Sequence, residues 1–373
     1  MKNKKNKNFD TADSQLHHIP DLDIIDLENE DGCEPQEPAP SPDSPEKKKF
    51  RLRVNVHIIL LVVFIVFVAG IIYRLKNWGV EVDLDEIFKD GPGEYEFSFD
   101  EMFPVFNSEG EMVYQKYDEN STILLFGNAP FADDRNSDDN LANMIQEMTG
   151  AAVYNCAVNG SYLATLSTSL DTVNAPMDIF NFYWLCALAL GDTMNEHYQE
   201  GLATLGEDAP PEATYVYNTL KGIDMASVDV IGIMYDGSDY LAGHPMYDDA
   251  YDENITQFTG NMLAGIRLIQ SIYPHIRFIV MSPTYAFAID ENGEYVSSDI
   301  QRYGYDVLST YMIKQHDYCL DAQVTFVDNL YVTVNEDTAP DYLTDNLHLN
   351  VAGRKKVAER FVYALNYYNK KAK

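Results

Sequence analysis

Two residues near the C-terminus have the types and spacing for acid–base chemistry, Asp345 and, three positions on, His348. A carboxylate so placed can accept the Nδ1 proton of the imidazole, fix its tautomer and leave Nε2 to take a proton from a reacting group. A base needs something to activate. The strand-to-helix turn where a nucleophile should sit reads Phe126-Gly127-Asn128-Ala129-Pro130, with neither hydroxyl nor thiol. The chain thus has an oriented base, and no nucleophile where covalent acyl transfer would need one.

Other residues bear on the same chemistry. Asn159-Gly160-Ser161 follows a second apolar run. After a third run come Asp236, Gly237, Ser238 and Asp239. Ser161 and Ser238 are the candidates for a displaced nucleophile, and water activated by His348 is the remaining route. His244, in Gly243-His244-Pro245, reads as a surface-loop histidine or as one lining the same pocket. The acids Asp133, Asp134, Asp138 and Asp139 read as helix N-terminal residues favoured by the macrodipole. Their spacing matches no EF-hand and the cysteines match no zinc site, so neither metal nor cofactor is expected.

The elements that must position these residues follow from periodicity. Apolar runs at Thr122–Phe126, Ala152–Cys156, Val228–Tyr235, Arg277–Met281 and Val324–Asp328 read as buried strands. Between them lie helical patterns. Leu141, Met144, Ile145 and Met148 form one, with Asn136, Ser137 or Asp138 as its cap and Gly150 as its stop; Ile255 to Ile269 and Val351 to Tyr367 form others. Residues 163–222 form a helical insertion whose Phe180, Phe182, Tyr183 and Trp184 read as core. This alternation predicts a three-layer α/β/α domain with a central parallel sheet and ligands at the carboxyl ends of its strands.

In this order the blocks resemble the SGNH/GDSL hydrolase family over roughly residues 121–367. Gly127-Asn128-Ala129 stands where the family has Gly-Asp-Ser, so Ala129 occupies the nucleophile position. Gly160 matches the oxyanion glycine. Asp236-Gly237-Ser238-Asp239 aligns with Gly-x-Asn-Asp, with Asp236 replacing the Gly and Ser238 the Asn, and Asp345 and His348 form an intact last block. The resemblance implies acyl esters of carbohydrate or lipid as the ancestral substrate class. It also implies a membrane-bound acyltransferase as one kind of partner. With its nucleophile replaced, the chain is expected to be an impaired or atypical enzyme, or a non-catalytic scaffold binding a glycan or partner.

The rest of the chain supplies the setting. Residues 1–49 are polar, charged and proline-bearing, the composition of a disordered tail. Val54 to Leu75, within a segment 50–76, is about long enough to cross a bilayer core of roughly 30 Å. Lys47, Lys48, Lys49, Arg51 and Arg53 precede it against Arg74 and Lys76 after it, which predicts a signal anchor with a cytoplasmic N-terminus. A stalk over 77–120 and the hydrolase-like domain over 121–373 then lie outside the cell, as in a bacterial envelope protein. Residues 77–373 hold 15 Lys+Arg and 47 Asp+Glu, a net −32 of the chain's −33, which argues against nucleic acid or other polyanions as partners. Cys156, Cys186 and Cys319 allow one disulfide at most.

Overall fold

A computed structural model describes Val68, residues 98–107 and residues 109–372. The predicted tail and, Val68 apart, the predicted membrane span lie outside the described residues. Among those described, no helix is long and apolar enough to cross a membrane.

Five strands build the central sheet: β1 (Thr122–Gly127), β2 (Ala152–Asn155), β3 (Val230–Met234), β4 (Arg277–Met281) and β5 (Thr325–Val327). Their order is β2-β1-β3-β4-β5, every pair parallel. Strands β3 and β4 are buried at every residue, which is why they read as continuous apolar runs rather than alternating ones.

The main helices are α1 (Leu141–Thr149), α2 (Phe182–Leu190), α3 (Asn195–Leu205), α4 (Ala213–Gly222), α5 (Phe258–Gln270), α6 (Leu308–Asp321) and α7 (Val351–Asn366). Helix α1 packs on α7, while α5 packs on α2 and α6. Right-handed crossovers from β1 to β2 and from β3 to β4 run in opposite directions along the sheet, so α1 and α5 cover opposite faces. The cap of α1 is Asn140, whose Oδ1 accepts from Ala142 N at 2.9 Å, and not one of the three residues expected. Gly150 ends α1 at φ 72°, as its position predicted.

Residues 98–118, placed in the stalk from their acids and glycines, lie against this domain. Glu101 bridges antiparallel to Phe326, with Glu101 N to Phe326 O at 2.9 Å and Phe326 N to Glu101 O at 2.8 Å, so the open edge of β5 is covered. Tyr117 N donates to Asn369 Oδ1 at 3.0 Å, and Val105 and Tyr117 are buried. Two short strands, Val105–Phe106 and Met112–Val113, pair within this segment. Cys156, Cys186 and Cys319 are free and buried, with no disulfide among them.

Candidate active site

The four blocks meet at the carboxyl ends of β1, β2 and β3 and at the loop before α7, where a doubly wound sheet gathers its ligands. Gly127, the last residue of β1, faces Met234 of β3. A Cβ at Gly127 would lie 1.9 Å from the Met234 carbonyl oxygen, so only glycine lets the two strands end side by side.

Asn128 is buried and joins three blocks. Its Nδ2 donates to Asp236 Oδ1 at 2.8 Å and to Ser161 O at 3.1 Å, and its Oδ1 accepts from Asp236 N at 2.9 Å. Ala129 opens the helical turn Ala129–Ala132 and is 3% exposed. Its amide is among those a helix start leaves without intrahelical partners.

Neither displaced serine has a free hydroxyl. Ser161 is buried and its Oγ donates to Val158 O at 2.8 Å. Ser238 donates its amide to Asp236 Oδ1 at 3.0 Å, and its side chain also bonds that carboxylate. Burial raises the Asp236 pKa, against the hydrogen bonds from Ser238 and Asn128 and the charge of His348. Gly160 has φ 74°, is exposed, and has no atom within 4 Å of where a Cβ would stand.

Asp345 and His348 form the expected pair. His348 Nδ1 lies 2.7 Å from Asp345 Oδ2, while Asp345 Oδ1 accepts from the amides of Leu347 at 2.8 Å and His348 at 2.7 Å. Burial works to lower the His348 pKa but is outweighed. The hydrogen bond to Asp345 and the charges of Asp345, Asp133 and Asp236 hold it above the usual imidazole value. Burial likewise works to raise the Asp345 pKa, and its hydrogen bonds from His348 and Leu347 leave it below the usual carboxylate value.

His348 and Asp345 open onto a shallow depression of about 520 Å³, shared with Asp133, Asp134 and Arg354. Ala129, Gly160 and Ser238 do not line it; their link to His348 runs through Asp236, whose charge His348 senses, and through Asn128. Asp133, half-buried, accepts from Asn159 Nδ2 at 3.1 Å, and burial raises its pKa against the pull of His348 and Arg354. Asp134, at φ 52°, meets Arg354 Nη2 at 2.8 Å and ties the loop after Ala129 to α7. Asp138 and Asp139 stay exposed, and only Asp133 and Asp134 of that acidic run reach the site.

Asp239 does not face this depression. It is 1% exposed, and its carboxylate accepts from the amides of Leu163 at 2.9 Å and Ala164 at 3.0 Å. It also holds His244 Nδ1 at 2.9 Å. His244 is thus a second carboxylate-oriented imidazole, packed edge to face on Tyr162 at 4.5 Å, where the sequence allowed only a loop or pocket-lining histidine. Arg354 is the other residue that the sequence did not single out; Asp236 entered only as a replaced block residue and Asp133 as a helix N-terminal acid.

No family model matches the chain, and no curated protein matches it. The chain is similar to solved structures of SGNH/GDSL hydrolase type. A protein from Lactobacillus plantarum is 15% identical, with a TM-score of 0.43 over 68% of this chain and 98% of that one. A GDSL-like lipase from Parabacteroides merdae is 13% identical, with a TM-score of 0.39 over 68% and 98%. Est24, a carbohydrate acetylesterase from Sinorhizobium meliloti, is 14% identical, with a TM-score of 0.37 over 65% and 99%. At such identities the residue roles in this chain rest on its own geometry.

Proposed function

We propose that the chain is a membrane-anchored, extracytoplasmic SGNH-like domain, derived from enzymes acting on acyl esters of envelope carbohydrate or lipid, that lacks the nucleophile for covalent acyl transfer. The observation that carries the reading is the Asp345–His348 hydrogen bond of 2.7 Å beside a site whose first turn offers Ala129. In the covalent route a hydroxyl would attack the ester carbonyl and pass its proton to His348 Nε2. Asp345 would stabilise the imidazolium, and the amides of Ala129 and Gly160 would receive the oxyanion. Here the attacking hydroxyl is missing, a loss worth about 10⁶ in kcat where one was removed from a working triad. What chemistry remains is slow. His348 takes a proton from water, the hydroxide attacks the carbonyl, and the alcohol leaves with that proton.

A second reading, a non-catalytic scaffold that holds an acylated glycan or a partner such as a membrane-bound acyltransferase, is favoured by the two serine hydroxyls being engaged elsewhere. Hydrolysis of a small activated acetyl ester by the full chain, by His348→Ala and by Ala129→Ser separates the readings. Slow turnover abolished in His348→Ala supports the water route. No turnover in the natural chain with gain in Ala129→Ser supports the scaffold with an intact site. Turnover that survives His348→Ala sinks both.

A further inference from the structure

Helix α2 carries two aromatic rings at the margin of the core. Phe182 is fully buried, whereas the adjacent Tyr183 and Trp184 are partly exposed, their rings edge to face with centroids 4.9 Å apart. Together with Thr168, Tyr251, Glu253 and Ile255 they line a cavity of about 260 Å³ outside the site described above. Tyr251 is 58% exposed. One Glu253 oxygen, Oε1, takes Arg267 Nη1 at 2.7 Å, and the other has no hydrogen-bond donor among the described residues. The side-chain hydroxyls of Tyr183, Tyr251 and Thr168 also have no hydrogen-bond partner there. The indole Nε1 of Trp184 is sealed from solvent without an acceptor.

We infer that this cavity is a carbohydrate subsite that takes one ring of a neutral sugar. Aromatic faces pack on the C–H face of a pyranose, and unpaired hydroxyls and a carboxylate oxygen answer its hydroxyls; an apolar ligand would leave them unmet. The ligand is neutral for two reasons. The chain's net −33 repels an anionic glycan, and Arg267 already balances Glu253 against an ammonium group.

One chain segment joins the cavity to the second of the four blocks. The nine residues from Gly160 to Thr168, eight steps along the chain, span at most about 26–29 Å. They are pinned on the way, Leu163 and Ala164 to Asp239 and Thr165 N to Ile255 O at 3.0 Å. That relation to an ester site rests on the proposed function, whereas sugar binding does not.

The test uses the chain's two tryptophans, Trp78 and Trp184. In a Trp78→Phe background, Trp184 emission is followed while N-acetylchitotetraose or cellotetraose is titrated into the full chain. A saturable change with at least one sugar is expected, weakened about tenfold or more by Tyr251→Ala, an exposed position where truncation leaves the fold intact. Calorimetry on Trp184→Phe should show a similar weakening. Three results overturn the inference: no saturable change with either sugar, unchanged affinity in Tyr251→Ala, or tighter binding of phosphocholine than of both sugars. None of these readouts needs turnover, so a failed esterase assay leaves the test standing.

Discussion

Replacing Gly127 by Ala tests whether the close approach of β1 and β3 is what holds the site together. The new Cβ would lie 1.9 Å from the Met234 carbonyl oxygen, 3.0 Å from its carbon and 3.1 Å from Phe131 Cδ2. Carbon–oxygen contacts in proteins rest at about 3.3–3.6 Å, so one strand end must move by more than about 1 Å. The obstacle is backbone, which cannot swing aside as a side chain would. Overpacking typically costs about 1–3 kcal/mol and occasionally more, and a backbone clash puts this substitution at about 3 kcal/mol or above. At about 2–4 °C per kcal/mol for a large domain, the melting temperature falls by about 6–12 °C. Gly160→Ala is the internal contrast. Its φ of 74° carries the left-handed penalty of about 1–2 kcal/mol, but no atom stands within 4 Å of the new methyl. Melting followed by circular dichroism on both variants decides. If Gly127→Ala melts within about 2 °C of the natural chain, or Gly160→Ala loses more than Gly127→Ala, the argument from strand approach is refuted.

Arg277 lies buried between Tyr117 and Tyr368 and donates to the carbonyls of Ala364 at 2.9 Å and Leu365 at 3.0 Å, closing the end of α7. Arg277→Met should cost about 3 kcal/mol in urea denaturation, and Arg277→Lys should recover less than half, because an ammonium cannot serve both carbonyls in one plane. In the Ala129→Ser background, ester hydrolysis should rise with pH along a limb above about 6.5, since Asp345, Asp133 and Asp236 hold the His348 proton. Asp133→Asn removes one of those charges, so a pH profile should show the limb moved toward acid. The His348 pKa is raised, so its contribution to stability is present below about 6.5 and fades as pH rises through the folded value. The Asp345 pKa is lowered, so its contribution is present above about 3.9 and fades as pH falls. The stability gap between the natural chain and Asp345→Asn should therefore be widest near about pH 5–6 and shrink at about pH 8, staying under about 1 kcal/mol because both groups are more than a third exposed.

The sheet was legible in the sequence because its inner strands are buried on both faces and leave unbroken apolar runs, and all five strands fall within two residues of where the runs placed them. The Asp345–His348 pair was legible because its partners are three residues apart and the contact is local. What was not legible is long-range. Asn128 and Asp236 are 108 positions apart, and nothing local tells that one side chain will satisfy the other's backbone and carboxylate. Residues 98–118 read as a stalk because they follow Gly91-Pro92-Gly93 and carry several acids, while an edge strand pairs through backbone groups any sequence carries. Tyr183 read as core because a strongly apolar helix gives no periodic signal for which side faces out, whereas its neighbour Trp184 does pack against the core.

The central claim is that Ala129 stands where a nucleophile would be served by the Asp345–His348 pair. The most direct measurement is intact-mass and peptide mapping after treating the natural chain, Ala129→Ser and Ala129→Ser/His348→Ala with a fluorophosphonate. The account predicts a single adduct at position 129, found in Ala129→Ser, absent from the natural chain and lost when His348 is also removed. An adduct on the natural chain, or none on a folded Ala129→Ser, would contradict it.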